Sequence, residues 1–247
     1  MPATAATDPG LTPHQRLMTL ASSVASTPAD ASTGLPYTYL HTQSWTRATN
    51  VITRSDVRRW RRDSDSSGRE LTRRLRDVPG LTHRPTPAER SSFPAAPKKT
   101  TRYLAGELQP YLAEPLPVDA TTLAGSLAPR ELANEPAYPR MLVHGVIGLA
   151  TSQYLSQEQR AETLRVLAGV PNISFEGEQT DLAGRAGLDF SVTADGSTTQ
   201  LILNPGTGEV LSAHEQVTGA RAGLFSLVLI LERGRAATDT STPSSRP

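Results

Sequence analysis

Apolar positions recur along the chain at two spacings, and the changeovers mark out its elements. Leu17, Leu20, Ala21 and Val24 fall on one helical face, with Thr12 placed to cap and Pro13 at the first helical position, so an amphipathic helix is expected from about Thr12 to Ser26. The spacing then shortens. Across Pro36–Trp45 residues alternate as in a strand, putting Tyr37, Tyr39, His41, Gln43 and Trp45 on one face. A second extended stretch covers roughly Asn50 to Arg62, and after the polar turn Asp63–Gly68 a third runs Arg69–Arg76, giving an antiparallel meander. Five prolines between Asp77 and Lys99 break any period, and residues 77–99 are expected to be an exposed connection and not a strand.

Helical spacing returns over 119–168. Asp119 caps Ala120–Leu127, Pro139 opens a helix to about Leu155 whose Met141–Ile147 stretch reads as buried almost all round, and Ser156 with Gln159 starts a third that stops at Gly169. Period two then resumes: Ile173 and Phe175, then Ala186 to Val192, then Leu201 and Leu203, then Val210–Val217, and finally Leu224–Leu231, with turns at Asp195–Gly196 and Asn204–Gly208. Strands in two blocks around a helical insertion predict an α+β fold: one curved antiparallel sheet, a half-barrel of about 7–9 strands, wrapping several helices. Residues 1–10 read as a disordered leader, 235–247 as a disordered tail, and 11–234 as one domain.

Composition narrows the chemistry. No cysteine occurs among the 247 residues, which removes disulfides, thiolate metal sites and thiol nucleophiles. The balance of 25 basic against 24 acidic side chains is not that of a dedicated nucleic-acid binder. Neither apolar run, Met141–Ala150 or Gly223–Leu231, approaches the ~20 residues of a spanning helix, and the first twenty residues lack an export signal. The expectation is a soluble chain, either cytoplasmic or the soluble part of a longer envelope protein.

Several stretches resemble a family of uncharacterised envelope proteins of high-G+C Gram-positive bacteria. They are the Tyr-x-Tyr-x-His-x-x-Ser-Trp strand, the Arg59-Trp60 to Arg69 turn, Leu167–Pro171, Asp181–Gly187 and Leu203–Leu211. The resemblance implies an extracytoplasmic domain following a single membrane anchor, genes associated with sigma factors, and an ectodomain similar to the lipoprotein-localisation and sigma-regulatory half-barrel. This chain departs in lacking the anchor, so membrane attachment is expected only if an upstream anchor was removed.

Two groups of side chains stand out as candidate sites. Tyr37, Tyr39 and Trp45, with Trp60, are candidates to line an apolar cavity for a lipid or peptide, the competing reading being plain core packing. Nine Arg against four acids crowd the stretch Arg54–Arg76, and Arg58, Arg61 and Arg62 are candidates for contact with an anionic surface, the competing reading being the solvent face of a sheet. Asp63-x-Asp65-x-Ser67-Gly68 copies the start of a calcium loop, but Arg74 stands where the bidentate carboxylate belongs, so no metal is expected. The five His are scattered, and no nucleophile elbow, phosphate loop or dinucleotide fingerprint is present. No cofactor and no catalytic residue is therefore expected. The reading is a non-enzymatic, extracytoplasmic ligand- or protein-binding module, a sensory partner in a sigma-factor system; the alternative is a lipid or lipoprotein carrier.

Overall fold

A computed structural model describes residues 10–30 and 34–243, so most of the expected leader and the last four residues of the expected tail lie outside it. Helix α1 (Pro13–Ala25) precedes a meander of β1 (Tyr37–Ala48), β2 (Val51–Arg62) and β3 (Gly68–Pro79). A short helix α2 (Pro87–Ser92) and a single 3-10 turn lead to β4 (Lys98–Tyr103). Helices α3 (Ala120–Leu127), α4 (Tyr138–Ser152) and α5 (Gln157–Ala168) follow. The chain then makes β5 (Ser174–Thr180), β6 (Ala186–Ala194), β7 (Ser197–Leu203), β8 (Val210–Val217) and β9 (Gly223–Ala236). All nine strands form one curved, open antiparallel sheet in the order β4-β3-β2-β1-β9-β8-β7-β6-β5.

Local chemistry accounts for the element starts. Thr12 and Ser156 each accept the backbone N–H of a Gln three residues on, and that Gln side chain returns a bond to the cap residue's own N–H. Where two long helices touch, side-chain size sets the approach: a Cβ on Gly145 of α4 would lie 2.7 Å from Cβ of Leu127 in α3.

The sheet does not keep one apolar face. Its C-terminal half turns Leu188, Phe190, Val192, Leu201, Leu203, Val210, Ala213 and Ile230 toward the helices, where they pack with Leu17, Leu20, Val143, Val146, Leu149, Leu164 and Leu167. Directly opposed residues share a face, so the register carries that side across to the N-terminal half. Thr42 pairs with Ile230 and Leu40 with Arg233, which puts Leu40, Thr42, Ser44 and Thr46 on the helix side. Tyr39, Trp45, Ile52, Trp60 and Leu71 therefore point to the far side, and all five are buried there.

Two segments expected to be peripheral bury them. Phe93, at the end of the Pro-rich stretch, is 0% exposed and meets Trp45 edge-on, with ring centroids 5.6 Å apart. Thr86 and Glu89 form a capping box for α2, and Glu89 also accepts from the Trp45 indole at 3.1 Å and pairs with Arg54 at 2.8 Å. Residues 77–99 stay largely exposed, as five prolines suggest, but they also hold a short helix, one buried aromatic and the start of β4. The tail corrects likewise. β9 continues through Arg235 and Ala236, Ser241 O accepts from the Trp60 indole at 2.7 Å, and Pro243 packs so closely on Gly234 that a Cβ there would lie 2.7 Å from its Cβ.

Replacing Phe93 by Ala is expected to lower stability by about 3–5 kcal/mol, the cost of a large buried aromatic. Urea unfolding measures it; a change within about 0.5 kcal/mol, the scale of an ordinary surface substitution, would show the segment to be a loose connection.

Candidate functional site

On the helix side, the N-terminal half of the sheet has less above it than the C-terminal half. Helix α4 overhangs its near edge and leaves a cavity of about 410 Å³ between Ile147 and Thr151 above and Leu40, Thr42, Ser44, Thr46, Val57 and Val228 below. The lining mixes hydroxyls with aliphatics: β1 contributes Leu40, Thr42, Ser44 and Thr46, every second residue of a Thr/Ser-rich strand. Ser44 and Ser55 hydroxyls lie 2.9 Å apart across β1 and β2. Arg59 is the lining's titratable group, held at 2.9 Å by Glu70.

Charged groups sit beyond both ends of this trough. In line with Ile147 and Thr151 on α4, Arg140 and His144 reach the buried Glu215 of β8 at 2.7 and 3.1 Å. Burial opposes the charge on Glu215, yet hydrogen bonds from His144 and Ser197 and the Arg140 charge hold its carboxyl below the ordinary range. His144 and Ile147 are only partly buried, so α4 is not sunk all round as its apolar run suggested; one flank faces the trough. At the other end Arg61, 3% exposed, contacts Glu114 at 2.9 Å and Asp63 at 3.2 Å, and Asp63 also holds Thr38 and Arg235.

The candidate cavity aromatics lie on the opposite face. Tyr39 and Trp60 pack with ring centroids 5.1 Å apart, Trp45 belongs to the Phe93 cluster, and Tyr37 accepts from Arg62 at 2.7 Å near the sheet's end. Sequence alternation identifies their common face correctly but not the side on which the helices lie. The candidate Arg residues also separate: Arg61 points to the helix side, while Arg58 and Arg62 point to the far side, so the three form no single patch. The calcium-like turn spends its carboxylates internally, since Asp65 accepts from the Ser67 N–H and hydroxyl while Asp63 takes the partners above. Among the described residues no three His, Asp or Glu side chains converge as metal ligands, and no helix is long and apolar enough to cross a membrane.

Between the two aromatic clusters of the far face lies a buried polar group. His41 meets Asp56 at 3.0 Å, Gln43 donates to the same carboxylate oxygen at 2.8 Å, and Tyr39 donates to Glu232 at 2.9 Å. Burial works against the Asp56 charge, but the bonds from His41 and Gln43 and the nearby Arg58 outweigh it and hold the carboxyl below the usual range. Burial, then Glu232, push the Tyr39 phenol upward. A second hollow of about 640 Å³ opens on this face beside His83, Arg84, His214 and Gln216. One of its walls is a loop, however, whereas the trough is walled by strands and a helix.

No protein-family model matches the chain, and no curated protein matches it. Among solved structures it is similar to a chain of the Pseudomonas aeruginosa MucA/MucB complex. The match covers 91% of this chain and 56% of that one, at 15% identity and a TM-score of 0.34. The chain thus spans little more than half the length of that neighbour, and likeness at this level speaks to neither ligand nor partner.

Asp189 of β6 is the far face's isolated buried acid. Its Oδ1 has no hydrogen-bond partner, and burial, then the Glu176 charge, push its carboxyl from the ordinary 3.8 up to about 6. The folded chain therefore keeps a proton that the unfolded chain releases first, so the stability this group confers is full below 3.8 and is lost as pH rises through about 6. Asp189→Asn is expected to leave stability unchanged near pH 3.5 and to raise it on the order of 2 kcal/mol at pH 8. Urea unfolding at the two pH values checks this; an equal effect at both would remove the titration as the cause.

Proposed function

We propose that the chain is a non-catalytic binding module of the bacterial cell envelope, acting outside the cytoplasm, whose ligand is an extended protein segment seated in the trough between α4 and β1, β2 and β9. The observation that carries this reading is the trough itself, about 410 Å³, walled by regular elements and lined by both hydroxyl and aliphatic groups. Such a lining suits a peptide, whose backbone needs hydrogen-bond partners and whose side chains need apolar contact. A lipid carrier wants a dry apolar cavity, and the aromatics that would line one are packed on the other face. A sensory role beside a sigma-factor regulator is the setting in which such a module would act, the bound segment being the signal or the regulator.

Ser44→Trp and Thr151→Trp fill the trough from its floor and its roof. Both are expected to reduce capture from an array of extended peptides by roughly tenfold or more while circular dichroism and Tm stay near wild type. A stoichiometric, Ser44→Trp-sensitive complex with a fluorescent fatty acid, with no peptide captured, would replace this reading by the carrier.

A further inference from the structure

Strand β4 carries no apolar alternation; its sequence is Lys-Lys-Thr-Thr-Arg-Tyr, and it forms one edge of the sheet. Its outer N–H and C=O groups face no neighbouring strand among the described residues, which leaves a template for one more. Register sets its charges against those of β3. Arg69 stands directly opposite Arg102 and Arg73 directly opposite Lys98, with Leu71 and Thr100 between them, so four cations share one patch of the far face. Lys99 adds a fifth on the other side of the same edge, and Lys98, Lys99 and Arg102 are all exposed.

Like charges directly opposed on one face destabilise a sheet. Relief is partial: none of Arg73, Lys98, Lys99 and Arg102 is in a salt bridge among the described residues, Glu70 is taken by Arg59, and Asp239, which lines the same hollow as Arg102, shares its charge with Arg62. Asp56, opposite Arg73 in the ladder, is engaged by His41 and Gln43. Arg69 has the Asp239 carbonyl at 3.3 Å and lies over the Trp60 ring. Lysines on an edge strand deter pairing with another basic edge, but that task needs no matched cations on the second strand. The charges that repel a basic strand attract an acidic one.

We infer that the β4 edge is a docking site for an acidic extended segment of a partner protein, which adds as a tenth strand and sets carboxylates against Lys98, Arg102 and Lys99. This surface is separate from the trough and stands or falls without it. Because Lys98 and Arg102 are four residues apart on one face, an antiparallel partner strand needs acids at positions j and j+4, with a third at j+3 facing Lys99. Main-chain bonds supply affinity and the three carboxylates supply register and salt sensitivity.

The probe is a fluorescein-labelled peptide with the core Glu-Thr-Val-Glu-Glu, titrated with the whole chain at low and high salt and followed by anisotropy. Binding is expected to weaken with salt, and to fall roughly tenfold or more for the double variant Lys98→Glu/Arg102→Glu and for the peptide N-methylated at alternate residues. Ser44→Trp is expected to leave it unchanged, which separates this site from the trough. Equal binding of the N-methylated peptide would reduce the edge to a charge contact and overturn the proposal. So would phosphatidylglycerol vesicles that bind while the peptide does not, or sedimentation showing that the edge is occupied by a second copy of the chain.

Discussion

The pairing of β1 with β9 is the seam on which the molecule depends. It joins two meanders whose apolar faces point in opposite directions, and β1 carries one row of side chains for each. Leu40 and Thr42 look toward the helices while Tyr39 and Trp45 look away. A sheet built this way cannot be completed by one covering layer. Helices α1, α3, α4 and α5 bury the C-terminal half, and the Phe93 segment and the residues after β9 bury the aromatics of the other half from behind. The register irregularity at His41/Thr42, where β9 carries one extra residue, falls at this seam.

The trough is the direct result of that division of labour. Once the N-terminal meander places its aromatics on the far side, its helix-side row is mainly Thr, Ser and Val with Leu40 and Arg59, too little apolar surface to build a core with α4. Helix α4 then serves two purposes along its length, packing Val143, Val146 and Leu149 into the main core while Ile147 and Thr151 roof the trough. At one end Arg140 and His144 of α4 meet the buried Glu215 of β8 and tie the roof to the sheet; at the other the buried Arg61 of the floor meets Asp63 and Glu114.

Much of this was legible before the structure. The caps at Thr12, Asp119 and Ser156 locate their helices to within a residue or so, and alternation locates the long strands, because both signals are local. What alternation does not carry is sidedness: Tyr39 and Trp45 read as one face, but whether that face meets α4 depends on contacts about a hundred residues away. The Pro-rich stretch hides its one buried side chain for a different reason. Its prolines are real breaks, yet Thr86 and Glu89 already form a capping box, and a lone Phe93 beyond it has no period to betray its burial. Strand β4 leaves no trace in the pattern because an edge strand with solvent on its outer side needs no apolar residues, and the tail leaves none because its place rests on single contacts such as the Ser241 carbonyl that accepts from the Trp60 indole. Density of Arg along the chain does not show where charge gathers, because charge on a sheet adds up across strands.

The place of β9 also bears on how the chain comes together in time. The two meanders are made of local hairpins that can pair without β9, which follows them in sequence and is central in the sheet, with β1 on one side and β8 on the other. Until it inserts, β1 and β8 both present open edges, and closing the seam joins residues as far apart as Tyr37 and Ala236. During synthesis everything from β1 through β9 must leave the ribosome before the two halves can become one sheet. A nascent chain stalled short of Gly223 would consist of two half-sheets with unguarded borders, the form in which this molecule is most exposed to chaperones and to its own copies.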